Sequence, residues 1–235
     1  DKDNEEFSFV QSHEELTKYV KSNLLSNKRN YLFVDEIQNI KEFEVSLRSF
    51  HTNDECEMVI TGSNAKMLSS ELSTYLSGRC VEYHIQSLDY REFLTFHRLS
   101  DNNQSLHSYL KYGGLPQLHR IGLEETELVD DYLKSVYHTI VLKDVIEREE
   151  IRNVPLLKNL IRFVGDNVGK VFSASSIVKY LKSQQVDSST RVILNYLEYL
   201  CNAYIINRVN RYDIHGKRLF ELNDKFYFED IGIRN

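Results

Sequence analysis

No apolar run in this 235-residue chain approaches the roughly 18 residues that a membrane-spanning helix needs, so a transmembrane protein of that kind is excluded. Cysteine is scarce: Cys56, Cys80 and Cys201 are odd in number, far apart and without a C-x-x-C pair. That excludes a disulfide framework or a cysteine-based zinc site and fits a reducing cytoplasm. Positive charge is not in excess, with 29 Lys and Arg against 35 Asp and Glu and a formal charge of −6. Any binding to nucleic acid or anionic lipid must therefore come from a local basic patch. The eight histidines are scattered and offer no metal-ligand spacing. Internal repeats, low-complexity tracts, a signal peptide and an initiator Met are also missing, and the chain reads as a piece of a longer cytoplasmic protein.

What is present centres on Tyr31-Leu32-Phe33-Val34-Asp35-Glu36-Ile37-Gln38, four apolar residues running into two adjacent carboxylates. A short apolar run of this kind reads as a buried strand. Ligands of open α/β sheets sit beyond the carboxyl ends of their strands, where such an acidic pair would face them. The plain alternative is a strand that ends in a solvated acidic turn. Around it, strand-like and helix-like segments alternate. Residues 6–10 suggest a strand, and Ser12 with Glu15 has capping-box spacing ahead of Leu16, Tyr19, Val20 and Leu24. After the 31–34 strand, a helix carries Ile40, Phe43, Leu47 and Phe50, and a further strand, 58–60, ends at Thr61-Gly62-Ser63-Asn64. A helix with Leu68, Leu72, Tyr75 and Leu76 stops at Gly78, and residues 80–85 suggest one more strand. This alternation predicts an α/β fold with a parallel sheet covered on both faces.

From residue 88 to 150 the strand signal disappears and leucine spacing predicts a small all-α domain, broken at Gly113-Gly114-Leu115-Pro116. Residues 151–235 predict three helices and a hairpin, the pattern of a winged helix-turn-helix domain running into a truncated C-terminal domain. Its third helix offers Arg191 as its one basic residue, and its wing offers Arg208, Arg211, Lys217 and Arg218. Those five are the candidate contacts to duplex DNA, although edge strands also carry charge simply to prevent sheet-to-sheet pairing.

The order of these features resembles the AAA+ branch of P-loop ATPases, in particular a prokaryotic group with a helical lid, a winged helix and often a nuclease-like C-terminal domain. The runs that carry the resemblance are 31–38 (Walker B), 60–64 (sensor 1), 76–79, 88–94, 109–116, 131–148 and 225–235. Each is short, and together they span nearly the whole chain in the family's order. The resemblance implies residues 1–87 as a partial ATPase core, 88–150 as the lid and 151–235 as the winged-helix domain. It implies MgATP as the ligand, with Asp35 holding Mg²⁺, in most cases through water, and Glu36 activating the attacking water. Ser63 and Asn64 stand at the sensor 1 turn, where Asn64 can both donate and accept hydrogen bonds. Arg79 takes the arginine-finger place, in trans if the protein forms a homo-oligomer; otherwise it is a surface arginine favoured at a helix C-terminus.

Three departures from the family's pattern stand out, the first of which counts against a self-sufficient enzyme. No G-x-x-x-x-G-K-[ST] phosphate loop occurs in these residues, and Ser87 stands where such proteins often have proline. No sensor 2 arginine is assignable beyond the guesses Arg120 and Arg148. The expectation is an ATPase whose parent protein hydrolyses ATP while this segment does not. The rivals are a winged-helix DNA-binding regulator with a ligand-sensing α/β domain, and a helicase, since Asp-Glu-x-Gln also occurs in helicase motifs. The acidic total charge disfavours the helicase.

Overall fold

The structure, a computed structural model, describes residues 5–63, 80–210 and 224–235. The chain divides into two compact units, residues 1–83 and 84–235.

In the first unit, helix α1 (His13–Asn23) begins where the sequence places its cap. Glu15 reaches back and accepts hydrogen bonds from the backbone of Gln11 (2.8 Å) and Ser12 (3.1 Å), satisfying amides that a helix start leaves open. Strand β1 (Tyr31–Val34), helix α2 (Phe43–Thr52) and strand β2 (Glu57–Ile60) follow. The strands pair in parallel with Tyr31 opposite Glu57 and Val34 opposite Ile60. Leu32, Val34, Met58 and Ile60 pack on a core of Leu16, Val20, Ile37, Ile40, Phe43, Leu47 and Phe50. Ser46, fully buried, joins α2 to α1 by donating to the His13 carbonyl at 2.7 Å and sharing a hydrogen bond with Thr17, also at 2.7 Å.

Three expectations for this unit change. Residues 6–10 form no strand, and Glu5–Phe7 is instead a 3₁₀ turn. Residues 80–85 lie outside any ladder among the described residues, with Val81, Tyr83 and Ile85 more than three-quarters exposed. Alternating apolar residues favour an extended chain, but a strand also needs a neighbour for its backbone hydrogen bonds. Among the described residues the sheet is covered on one face rather than two: Tyr31, Phe33 and Val59 are each more than half exposed. The helix expected around Leu68–Leu76 lies outside the described residues.

In the second unit, helix α3 (Tyr90–His97) starts at a reciprocal cap, with Glu92 N donating to Asp89 Oδ1 at 2.7 Å and Asp89 N donating to Glu92 Oε2 at 3.0 Å. Helix α4 (Asn103–Tyr112) ends at Gly113, whose φ of +75° suits a residue without a Cβ. Short α5 (Leu118–Ile121) and long α6 (Thr126–Thr139) bury Tyr112, Leu118, Val129 and Leu133. The helix then widens into a π-helical stretch, Ile140–Glu147, whose wider turn shows in five-residue hydrogen bonds from Arg148 to Lys143 (3.3 Å) and from Ile151 to Ile146 (2.9 Å). Just beyond its last residue, Arg148 pairs with Asp144 at 3.1 Å.

Helices α7 (Val154–Asp166), α8 (Ala174–Ser183) and α9 (Thr190–Asn202) enclose the largest core, with Leu157, Leu160, Ile177, Leu181, Ile193 and Leu200 fully buried. Antiparallel β3 (Ile206–Val209) and β4 (Lys225–Phe228) complete it, and Phe172 adds an isolated bridge to Asp224. Burial pushes the Cys201 thiol of α9 up to about 11, so it is a protonated packing group.

The chain then turns into short α10 (Ile231–Arg234), which packs on α4 and α6. Buried Asp230 holds this return in place: its carboxylate accepts hydrogen bonds from Gly114 N (2.8 Å), Gly232 N (2.8 Å) and Ile233 N (3.1 Å). Both glycines sit where only a bare Cα fits. A Cβ on Gly114 would lie 2.0 Å from the Leu88 carbonyl oxygen, and one on Gly232 would lie 2.0 Å from that of Tyr112.

Asp230→Ala leaves three amides of this turn without their acceptor and should cost about 3 kcal/mol, with Gly114→Ala also destabilising, both read by urea denaturation. His97 supplies a pH-dependent counterpart: burial, with a smaller contribution from His119, holds its imidazole below the ordinary value. Between that lowered value and about 6.5, the unfolded chain binds a proton that the folded chain does not. Stability should therefore fall as pH drops through that window, and His97→Gln should flatten the decline in denaturation midpoints.

Candidate functional site at the tip of the parallel strands

Parallel pairing with Val34 opposite Ile60 brings the residues just after each strand to the same edge. Thr61 N donates to the Val34 carbonyl at 2.9 Å and Ile37 N donates to the Thr61 carbonyl at 3.0 Å, so the ladder continues past the strand ends. Asp35 and Glu36 lie between these two bonds. Glu36 adopts the left-handed region, φ 53° and ψ 52°, which turns the chain sharply out of the strand.

Each acid is held by a polar partner. The Thr61 hydroxyl donates a short hydrogen bond to Asp35 Oδ1 and accepts one from Glu36 N at 3.2 Å. The Gln38 amide donates a short hydrogen bond to Glu36 Oε2 and another to Ser63 Oγ at 3.0 Å. Gln38 Oε1 is buried and has no hydrogen-bond partner among the described residues. Asp35 itself is exposed to solvent. The result is an oxygen-rich rim of two carboxylates and two hydroxyls.

Such a donor set fits Mg²⁺, which takes hard oxygen ligands and characteristically binds one or two carboxylates together with water and substrate phosphate. Asp35 is placed to be able to hold such an ion, with its second oxygen free of Thr61. No group of three or more His, Cys, Asp or Glu among the described residues could enclose a metal by itself.

Of the sequence-predicted site residues, Asp35, Glu36 and Ser63 come together here, while Asn64 and Arg79 lie outside the described residues. Thr61 and Gln38 were not among the expected site residues. Thr61 was signalled by its place directly after β2, which parallel register sets opposite Asp35; Gln38 carried no signal beyond its spacing from Glu36. Among the expected DNA contacts, Arg191 is exposed at the start of α9. Arg208 is engaged internally, its Nε donating to Asp224 Oδ2 at 2.6 Å, so its charge is already compensated by a largely buried carboxylate. Arg211, Lys217 and Arg218 lie outside the described residues.

Residues 1–94 match the AAA domain family, and the structure resembles the Walker-type ATPase of Pyrococcus abyssi with a TM-score of 0.55 and 13% identity, over 94% of this chain and 65% of that one. The chain is thus P-loop ATPase-like in fold. More than half of it, residues 103–235, matches the family described as domain of unknown function DUF8612, to which the chain belongs. An uncharacterized protein of Haemophilus influenzae is 34% identical over 236 residues, covering 97% of this chain and 58% of that protein. A second, from Methanocaldococcus jannaschii, is 29% identical over 219 residues, covering 88% and 48%. The chain therefore spans about half the length of the curated relatives it matches. No described helix is long and apolar enough to cross a membrane.

Thr61 is the testable link in the site's geometry. Thr61→Val keeps its shape and removes the hydroxyl between the two acidic residues, and should lower stability by about 1 kcal/mol, whereas Thr61→Ser should retain it, measured by chemical denaturation.

Proposed function

We propose that this chain is part of a MgATP-binding and hydrolysing AAA+ ATPase, with its catalytic carboxylates at the tip of β1. The observation that carries this reading is the acidic pair Asp35-Glu36, turned out of a parallel strand and hydrogen-bonded to Thr61 and, through Gln38, to Ser63. A match to the AAA domain family over the same residues supports it. Asp35 would hold Mg²⁺, and the bound ion would neutralise charge on the phosphates. Glu36 would accept a proton from the attacking water, oriented by Gln38. Ser63 and Asn64 would face the γ-phosphate, and Arg79 would meet the charge that develops on it, in the same protomer or from a neighbour in a homo-oligomer. Residues 88–150 would serve as the lid and 151–235 as a winged helix, the latter supported by the order α7, α8, α9 and the β3–β4 pair.

A phosphate-cradling loop with its lysine is not among these 235 residues. Turnover is therefore assigned to the longer protein, and the 235-residue chain alone should show none. In the full-length protein, Glu36→Gln should lower kcat by about 100-fold or more while MgATP binding persists, and Asp35→Asn should weaken Mg²⁺-dependent binding. Full activity in Glu36→Gln would refute the assignment of the base. Turnover by the 235-residue chain, abolished by Glu36→Gln, would refute the need for an outside loop.

A further inference from the structure

A groove of about 800 Å³ opens wholly within the second unit, among α4, α6, α7 and α10. Its rim carries Lys111, Lys134, Lys158, Arg162 and Arg234 against Asp130 and Asp166, an excess of three positive charges. The chain as a whole has a formal charge of −6, so this is a local reversal of sign of the kind that draws in an anion. The floor is apolar and partly aromatic, with Leu133, Ile161, Tyr137 and Phe228.

The cations differ in how far they are already occupied. Lys111 donates to the Tyr112 hydroxyl at 2.9 Å, Lys134 lies 3.7 Å from Asp131, and Arg234 donates to the Gly165 carbonyl at 3.3 Å. An ammonium has three donors and a guanidinium five, so each keeps donors free for a further acceptor. Lys158 and Arg162 stand one turn apart on α7, both exposed, and neither forms an ion pair among the described residues.

We propose that this groove binds single-stranded nucleic acid, with phosphates on the cationic rim, led by Lys158 and Arg162, and a base against Tyr137 and Phe228. The volume lies within the range of about 300–1,000 Å³ that suits a ligand of nucleotide size. A duplex keeps its bases stacked inside a rigid rod and could not set one on this floor, whereas a single strand can. The groove is distinct from Arg191 and Arg208, and the proposal does not depend on the nucleotide site.

The test is fluorescence anisotropy of a labelled oligothymidylate of about 12 nucleotides with the 235-residue chain, across roughly 50 to 200 mM salt. Saturable binding that weakens with salt is expected, weaker by about tenfold in Lys158→Glu/Arg162→Glu and with a shallower salt slope, while Arg191→Glu binds like the parent. Lys158→Gln/Arg162→Gln should lose affinity in the same direction, and Lys158→Arg/Arg162→Lys should keep it, which separates charge loss from misfolding. Unchanged affinity in both charge-loss variants would overturn the proposal. So would loss of binding in Arg191→Glu, a duplex bound as tightly as the strand, or free ATP or polyglutamate competing as well as the oligonucleotide.

Discussion

Parallel register between β1 and β2 is the constraint on which the candidate site rests. With Val34 opposite Ile60, the residues that leave each strand emerge side by side, and Thr61 meets Asp35. A shift of one residue would turn the strand side chains to the opposite faces. Register here is fixed by the apolar face, because Leu32, Val34, Met58 and Ile60 must all reach the same core. The packing of a few aliphatic side chains under the sheet thus determines the distance between a carboxylate and a hydroxyl at its edge.

The second unit is organised by a different kind of interaction. Asp230 is a buried carboxylate whose burial is compensated by three backbone amides from two distant parts of the chain. One end is the Gly113-Gly114 break after α4, the other the start of α10. Leu88 N closes the same turn by donating to the Gly114 carbonyl at 2.9 Å. Three segments that the sequence presents as separate short runs, around residues 88, 114 and 230, are one hydrogen-bonded assembly. The floor and rim of the basic groove are built on it, since Lys111 and Arg234 flank this assembly on α4 and α10.

Legibility in the sequence followed locality. Helix α1 was readable because its cap, Ser12 with Glu15, and its apolar spacing act within a few residues. The two parallel strands and the acidic pair were readable for the same reason. Residues 80–85 misled because alternation of Val81, Tyr83 and Ile85 describes a strand's side chains and says nothing of whether a neighbour is present. The partner of Arg208 was invisible because Asp224 lies across β3 and β4, sixteen residues away. Gln38 was invisible as a site residue because its role comes from Ser63, on the far side of the sheet edge.

The amino-acid sequence alone determined helix α1, strands β1 and β2, the position of the Asp35-Glu36 pair and the sharp break at Gly113-Gly114, since each follows from backbone preferences and from apolar periodicity over one or two turns. Only the tertiary structure decided that Thr61 and Gln38 hold the two acids, that Asp224 neutralises Arg208, that Asp230 ties α10 back to α4, and that five cations from four helices line one groove. Those are pairings between residues far apart in the chain, and they form only when burial of the shared cores supplies the free energy to bring them together.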